Sequence, residues 1–221
     1  MSVVVITGAN CGIGLALAEQ FTKRGDDVIA CVRSNSPELK ATGAEIYDGI
    51  DLCDGEAIQG FCEKIAGRPI DILVNNASTY NDRNLVEDID VDAVRKEFET
   101  NVLGPLQLTK GLLPEIVKGG KIVFISSSLG SIEENETGSS VGYRMSKSAT
   151  NMLAKTLCNE LWERFISTTT IHPGIVPTKM SEFSGIRLPE DAAKGVISRI
   201  DKLSLDTSGM FWHQDGRQIL W

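Results

Sequence analysis

"VITGANCGIGLAL" occupies residues 5 to 17 and decides the reading of the whole chain. A short apolar run leads into glycines at Gly8, Gly12 and Gly14, and Ile13, Leu15, Leu17, Ala18 and Phe21 then recur at helical spacing. Glycine admits positive φ and lets backbone approach a ligand closely. A helix beginning at such a turn presents free N–H groups and the positive end of its dipole to an anion. Strand, glycine turn and helix therefore predict a phosphate-binding element. The turn lacks the Gly-Lys-Ser/Thr of a nucleoside-triphosphate loop and is not one.

The pattern continues outward from that unit. "VVVI" (3–6) is a β-branched run suited to a strand buried on both faces. Strands are expected at 27–32, 45–50, 70–76, 120–127, 167–173 and 209–212. Helices are expected at 12–24, 54–67, 91–117, 141–164 and 189–202, with a polar loop over 128–140. The alternation predicts an α/β chain with a Rossmann-type doubly wound parallel sheet of about seven strands and helices on both faces. With no internal repeat or linker, residues 1–221 read as a single domain. A ligand should lie at the carboxyl ends of the strands. That location gathers residues 8–14, 32–34, 51–52, 75–79, 126–130 and 172–178.

Composition narrows the function. The formal net charge of −8 disfavours nucleic acid, whose phosphates demand clustered Lys and Arg. No apolar run approaches the ~20 residues that span a bilayer, and the strand pattern begins too early for a targeting peptide. Cysteines at 11, 31, 53, 62 and 158 fit neither a zinc site nor a CxxC pair, so no metal is expected. Reduced thiols suit a cytoplasmic protein. His172 precedes Pro173 at a strand end, where a structural role is expected. No Gly-x-Ser-x-Gly elbow surrounds Ser126 to Ser128, which excludes the usual serine hydrolase arrangement.

The spacing of "TGANCGIG" resembles the cofactor turn of the short-chain dehydrogenase/reductase family. Further motifs follow in the family's order: "NNAS" (75–78), "TNVLG" (100–104), "ISSSLG" (125–130), "YRMSK" (143–147) and "HPGIVPT" (172–178). The chain is most similar to the family's small carbonyl-reductase and C-factor-like members. Two features depart from the pattern. Ser78 stands where the family has glycine, and the gap from Ser127 to Tyr143 is a few residues longer. Ser126, Ser127 and Ser128 are all candidates to face the substrate, with the position before Gly130 favouring Ser127.

Tyr143 and Lys147 are four residues apart and share one helical face. A free phenol ionises near pH ~10, and a neighbouring ammonium lowers that value. The resemblance implies Tyr143 as general acid, Ser127 as the hydrogen-bond donor to a substrate carbonyl, and Lys147 as holder of the nicotinamide ribose. It implies Asn101 as support for a proton-relaying water. Gly8, Asn10, Cys11, Gly12, Ile13 and Gly14 form the implied cofactor turn. Asp51 and Leu52 match adenine contacts, and Asn76 and Ala77 match contacts along the adenosine. Pro173 and Gly174 lead to Ile175 and Thr178, which match contacts to nicotinamide and pyrophosphate.

An acidic residue at the end of the second strand would hold a ribose 2′-hydroxyl and repel a 2′-phosphate. Val32 stands there, followed by Arg33 and Ser34, with Asn10 in the turn below. The expected cofactor is NADP(H), with Arg33 pairing the 2′-phosphate. The expected activity is reduction of a ketone or aldehyde to an alcohol, in a homodimer or homotetramer. The alternative is a non-catalytic NADP(H)-binding regulatory or signalling protein. Tyr80, Leu129, Met180 and Phe183 are expected to edge an open substrate cleft, and Glu133, Glu134 and Glu136 a solvated loop.

Overall fold

In β1 (Val3–Thr7), Val4 and Ile6 face one side of a sheet and Val5 the other. The same two-residue alternation in β4 (Ile70–Asn75) sends Ile72 and Val74 one way and Leu73 the other. The computed structural model describes residues 1–221. Its remaining strands are β2 (Asp27–Cys31), β3 (Glu45–Tyr47), β5 (Ile116–Ile125), β6 (Ser167–His172) and β7 (Phe211–His213). All pair in parallel in the order β3-β2-β1-β4-β5-β6-β7.

Both faces are covered, so β1, β2 and β4 are mostly apolar. Helix α1 (Gly12–Lys23) lays Leu17 and Phe21 on one face, beside Ala193, Val196 and Ile200 of α7 (Pro189–Lys202). Helices α3 (Gly55–Lys64), α5 (Gly104–Leu112) and α6 (Val141–Glu160) cover the other with Ile58, Phe61, Leu108, Leu112, Ala154 and Leu157. The chain winds outward from β1 to β3, then returns to place β4 against β1. This reversal opens a crevice at the carboxyl ends of β1 and β4.

The single helix expected over 91–117 is three pieces. Helix α4 (Val91–Phe98) leads through a wide π-turn (Glu99–Leu103) into α5, and residues from Ile116 onward already belong to β5. Pro105 has no N–H to offer the carbonyl of Asn101 four residues back, so the ladder opens there. Thr150 Oγ1 donates to that carbonyl instead, at 3.0 Å. A short helix α2 (Pro37–Thr42) lies where none was expected; Ser36 Oγ caps it by accepting from Leu39 N, and Pro37 opens its first turn. The expected strand at 45–50 stops at Tyr47, and the helix expected to reach residue 164 ends at Glu160.

Candidate active site

The site begins with the stitching of two strand ends. Thr7 Oγ1 accepts from the backbone N–H groups of Asn76 at 3.0 Å and Ala77 at 2.9 Å. Asn76 Nδ2 donates back to the carbonyls of Thr7 at 2.9 Å and Gly8 at 3.2 Å. Gly8 and Gly12 adopt φ of +66° and +56°, the left-handed region that glycine enters without strain. A Cβ on Gly14 would lie 2.3 Å from the Gly8 carbonyl oxygen. The Cys11 side chain makes no capping bond to α1. The first turn of that helix thus faces the crevice without a side-chain acceptor.

From this turn a cleft of about 1260 Å³ runs across the sheet. Sixteen predicted cofactor positions line it: Gly8, Asn10, Cys11, Gly12, Ile13, Gly14, Arg33, Ser34, Asp51, Leu52, Asn76, Ala77, Pro173, Gly174, Ile175 and Thr178. Ser127, Tyr143 and Lys147 line it as well, whereas Asn101 lies behind the wall. Val32 is packed in the core at 1% exposure, so its side chain does not face the cleft. Arg33 is open to solvent, its guanidinium 3.9 Å from Asp51. An exposed pair at that distance is worth about 0–1 kcal/mol, so Arg33 is readily released to another anion.

Tyr143 is buried on α6, and Lys147 lies one turn on. The Lys147 ammonium donates to the Ile125 carbonyl at 3.0 Å and sits 5.5 Å from the Tyr143 ring centre. Burial pulls Lys147 down to about 7 and pushes the Tyr143 phenol well above its usual range. The hydroxyls of Ser127 and Ser78 act in the opposite direction. Lys147 is not among the groups that offset this. Ser126 is drawn away, donating to Asn151 Oδ1 at 2.7 Å. Ser127 Oγ accepts from Leu129 N at 3.2 Å, and of the three serines it is the one that favours the phenolate.

The Asn101 side chain is fully used. Its Oδ1 accepts from Ser78 Oγ at 2.9 Å and Thr79 N at 2.8 Å. Its Nδ2 donates to the Thr79 carbonyl at 2.9 Å and Ser146 Oγ at 3.0 Å. Ser146 Oγ in turn donates to the Tyr143 carbonyl. Asn101 therefore ties the loop after β4 to the helix bearing Tyr143. Thr7 was missing from the sequence-based set, and Ser78 and Thr79 stood in it only as part of the segment 75–79, without a role. Thr7 was visible only as the residue before Gly8, and Ser78 only as a departure from a glycine.

On the substrate side, Tyr80 stacks on Tyr143 with ring centres 4.3 Å apart and planes 23° apart. The Arg83 guanidinium lies over the Tyr80 ring, 4.2 Å from its centre. It donates to the Met180 carbonyl and pairs with Glu182 at 3.4 Å, tying residues 180–182 to the stack. Leu129, Met180 and Phe183 line this end of the cleft, whereas Glu133, Glu134 and Glu136 do not.

His172 also lines the cleft but is buried, with Nδ1 lacking a hydrogen-bond partner. Burial, reinforced by the positive charge of His213, holds it down at about 4. The unfolded chain takes up this proton near pH ~6.5 and the fold does not. Stability should therefore fall as pH drops from about 6.5 to about 4, by at most ~3 kcal/mol from this residue. Denaturant titrations at pH 7 and 4.5 should show a smaller acid loss in His172→Gln than in the parent; equal losses would refute the assignment.

Residues 2–186 match the short chain dehydrogenase family, and the chain belongs to it. Over 226 residues it is 32% identical to 1-hydroxy-2-glutathionyl-2-methyl-3-butene dehydrogenase of Rhodococcus sp. (strain AD45), covering all of both chains. It is 30% identical to C-signal of Myxococcus xanthus over 166 residues, covering 74% of this chain and all of that one. The NADPH-bound carbonyl reductase from chicken fatty liver superposes with a TM-score of 0.90 at 25% identity, over 100% of this chain and 99% of that one. The parallel seven-stranded sheet is thus the family's Rossmann-type fold.

Proposed function

We propose that residues 1–221 form one catalytic domain that reduces a ketone or aldehyde to an alcohol with NADPH. The observation that carries this reading is the convergence of Ser127, Tyr143 and Lys147 on one cleft whose far end is the glycine turn. The turn's close-packed glycines fit a pyrophosphate, since a Cβ at Gly14 would collide with Gly8. Pro173, Gly174, Ile175 and Thr178 would border the nicotinamide half, and Asp51, Leu52, Asn76 and Ala77 the adenosine. When bound, the reduced nicotinamide supplies a hydride to the carbonyl carbon. Ser127 donates a hydrogen bond to the carbonyl oxygen, where negative charge develops. Tyr143 gives its proton to that oxygen, completing the alcohol and leaving a phenolate.

Lys147 then matters in two ways. Its ammonium holds the ribose hydroxyls, and its proton affinity rises as the phenolate forms beside it. A protonated amine beside the phenolate stabilises it once it has formed. Asn101 serves through Thr79 and Ser146, fixing the loop and helix that carry the reacting groups. Leu106 on α5 and Met145 and Met152 on α6 are exposed, which supports self-association through these helices.

Arg33 supports NADPH over NADH, because nothing in the cleft repels a 2′-phosphate at that end except the weakly held Asp51. Arg33→Ala should weaken NADPH about 10- to 150-fold, equivalent to about 1.5–3 kcal/mol for one charge-assisted contact. NADH should barely change. Fluorescence titration with both cofactors, beside a panel of aldehydes and ketones, tests the reading. Equal losses for both cofactors would remove Arg33 from the 2′-phosphate, and no turnover across the panel would overturn the activity.

A further inference from the structure

Ser139 and Ser140 lie just before α6 with φ of +58° and +53°, left-handed values that strain a residue with a side chain. They end the stretch between Ser127 and Tyr143 that is a few residues longer than the family's pattern. Ser140 is the N-cap of α6, where a serine hydroxyl ordinarily accepts from the first free N–H groups, yet it makes no such bond. It is buried, and its hydroxyl is hydrogen-bonded to that of Tyr80. Its neighbours enforce the conformation. The buried Arg144 guanidinium donates to the carbonyls of Gly138 at 3.1 Å and Ser139 at 3.0 Å and to Thr137 Oγ1 at 2.8 Å. Ser140 N donates to the Asn84 carbonyl at 3.2 Å. Strained backbone and a forgone cap, held in place at one residue, leave the bond to Tyr80 as what they secure.

Tyr143 needs such support. It is the third residue of α6, in the first turn, where backbone N–H groups have no partner within the helix. Tyr80 lines the cleft and stacks on the Tyr143 ring, with centres 4.3 Å apart. We propose that Tyr80 is a positioning residue for the proton transfer, braced at its hydroxyl by Ser140 and at its ring by Arg83. Braced, Tyr80 keeps the Tyr143 ring in the plane from which its O–H meets the substrate oxygen, and covers one face of that ring against water. Unbraced, Tyr80 turns about its Cα–Cβ bond and the acid loses its backing. Arg83 also holds the Met180 carbonyl and Glu182, so the same brace fixes the segment that borders the substrate.

The role rests on Tyr143 being the acid, and the test separates the two. In single turnovers with NADPH saturating, Tyr80→Phe and Ser140→Ala should each slow carbonyl reduction about 10-fold, short of the ~100-fold that a displacement of about 1 Å costs. The double variant should be no slower than either single, because both remove one hydrogen bond. NADPH affinity should stay at the parent level. Ser140→Gly should be as slow as Ser140→Ala yet unfold at higher denaturant, since glycine enters the left-handed region without strain. Rate then follows the hydroxyl and not stability, which a merely structural serine would not show. A parent rate in Tyr80→Phe or Ser140→Ala, or losses that multiply to about 100-fold in the double variant, would overturn the brace. Near-normal turnover in Tyr143→Phe would remove the acid and the brace with it. An inactive Tyr143→Phe beside parent rates in Tyr80→Phe and Ser140→Ala would remove the brace alone.

Discussion

Tyr143→Phe is expected to lower carbonyl reduction by about 10²- to 10⁴-fold, the range for loss of a general acid. The substitution removes one hydroxyl and little else. The ring that remains keeps its stack on Tyr80, at 4.3 Å between centres, and its place in the buried wall. Folding should therefore survive, and thermal melts should show it. Ser127 would still donate to the carbonyl oxygen, so a fraction of the rate persists with water as proton source. NADPH affinity should hardly change, because the hydroxyl is carried by α6 and not by the glycine turn that would hold the phosphates. Lys147→Ala should differ by harming both affinity and turnover. Single-turnover kinetics beside fluorescence titration of NADPH distinguish these outcomes. Turnover within a few-fold of the parent in Tyr143→Phe would remove it from the chemistry.

The sheet was legible because its signals are local. Val3 to Ile6 and Ile70 to Val74 announce strands by β-branched composition alone, and the helices after them by apolar spacing. The breaks were less legible because each depends on one missing atom or one close contact. Pro105 marks where the 91–117 helix opens, but only the partner Thr150 Oγ1 explains why the Asn101 carbonyl is satisfied there. Gly104 presses against the Leu52 carbonyl, where a Cβ would come within 2.4 Å, and sequence carries no trace of that neighbour. The helix at Pro37 has a cap in Ser36 and a starter in Pro37, but at 6 residues it is too short to show an apolar period.

The site divided along the same line. Residues on the turn, at strand ends and on one face of α6 follow from topology and spacing. Side-chain direction does not. Val32 occupies the predicted place but points into the core, and Asn101 lies behind the cleft it supports. The balance of charge was equally hidden: Lys147 is pulled toward neutrality by its own burial, which no spacing to Tyr143 reveals.

Gly14→Ala should abolish useful NADPH binding, by more than about 100-fold, while Gly60→Ala in α3 should stabilise the protein by about 0.5–1 kcal/mol. Both are helical glycines, so propensity alone favours alanine at each. Gly60 has nothing within 4 Å of the added carbon. At Gly14 the carbon would lie 2.3 Å from the Gly8 carbonyl oxygen and 2.5 Å from Asn76 Nδ2. Neither neighbour can yield freely, since Asn76 also holds Thr7 and Gly8 is the pivot of the turn. Overpacking of this kind costs about 1–3 kcal/mol, which exceeds the gain in helix propensity. Relief must come from displacing Gly8 or lifting α1, and either moves the N–H groups meant for the pyrophosphate. Denaturant titration of both variants, with NADPH fluorescence on each, separates the local effect from the general one. A Gly14→Ala protein that binds NADPH like the parent would show that the turn tolerates the extra carbon and that the pyrophosphate lies elsewhere.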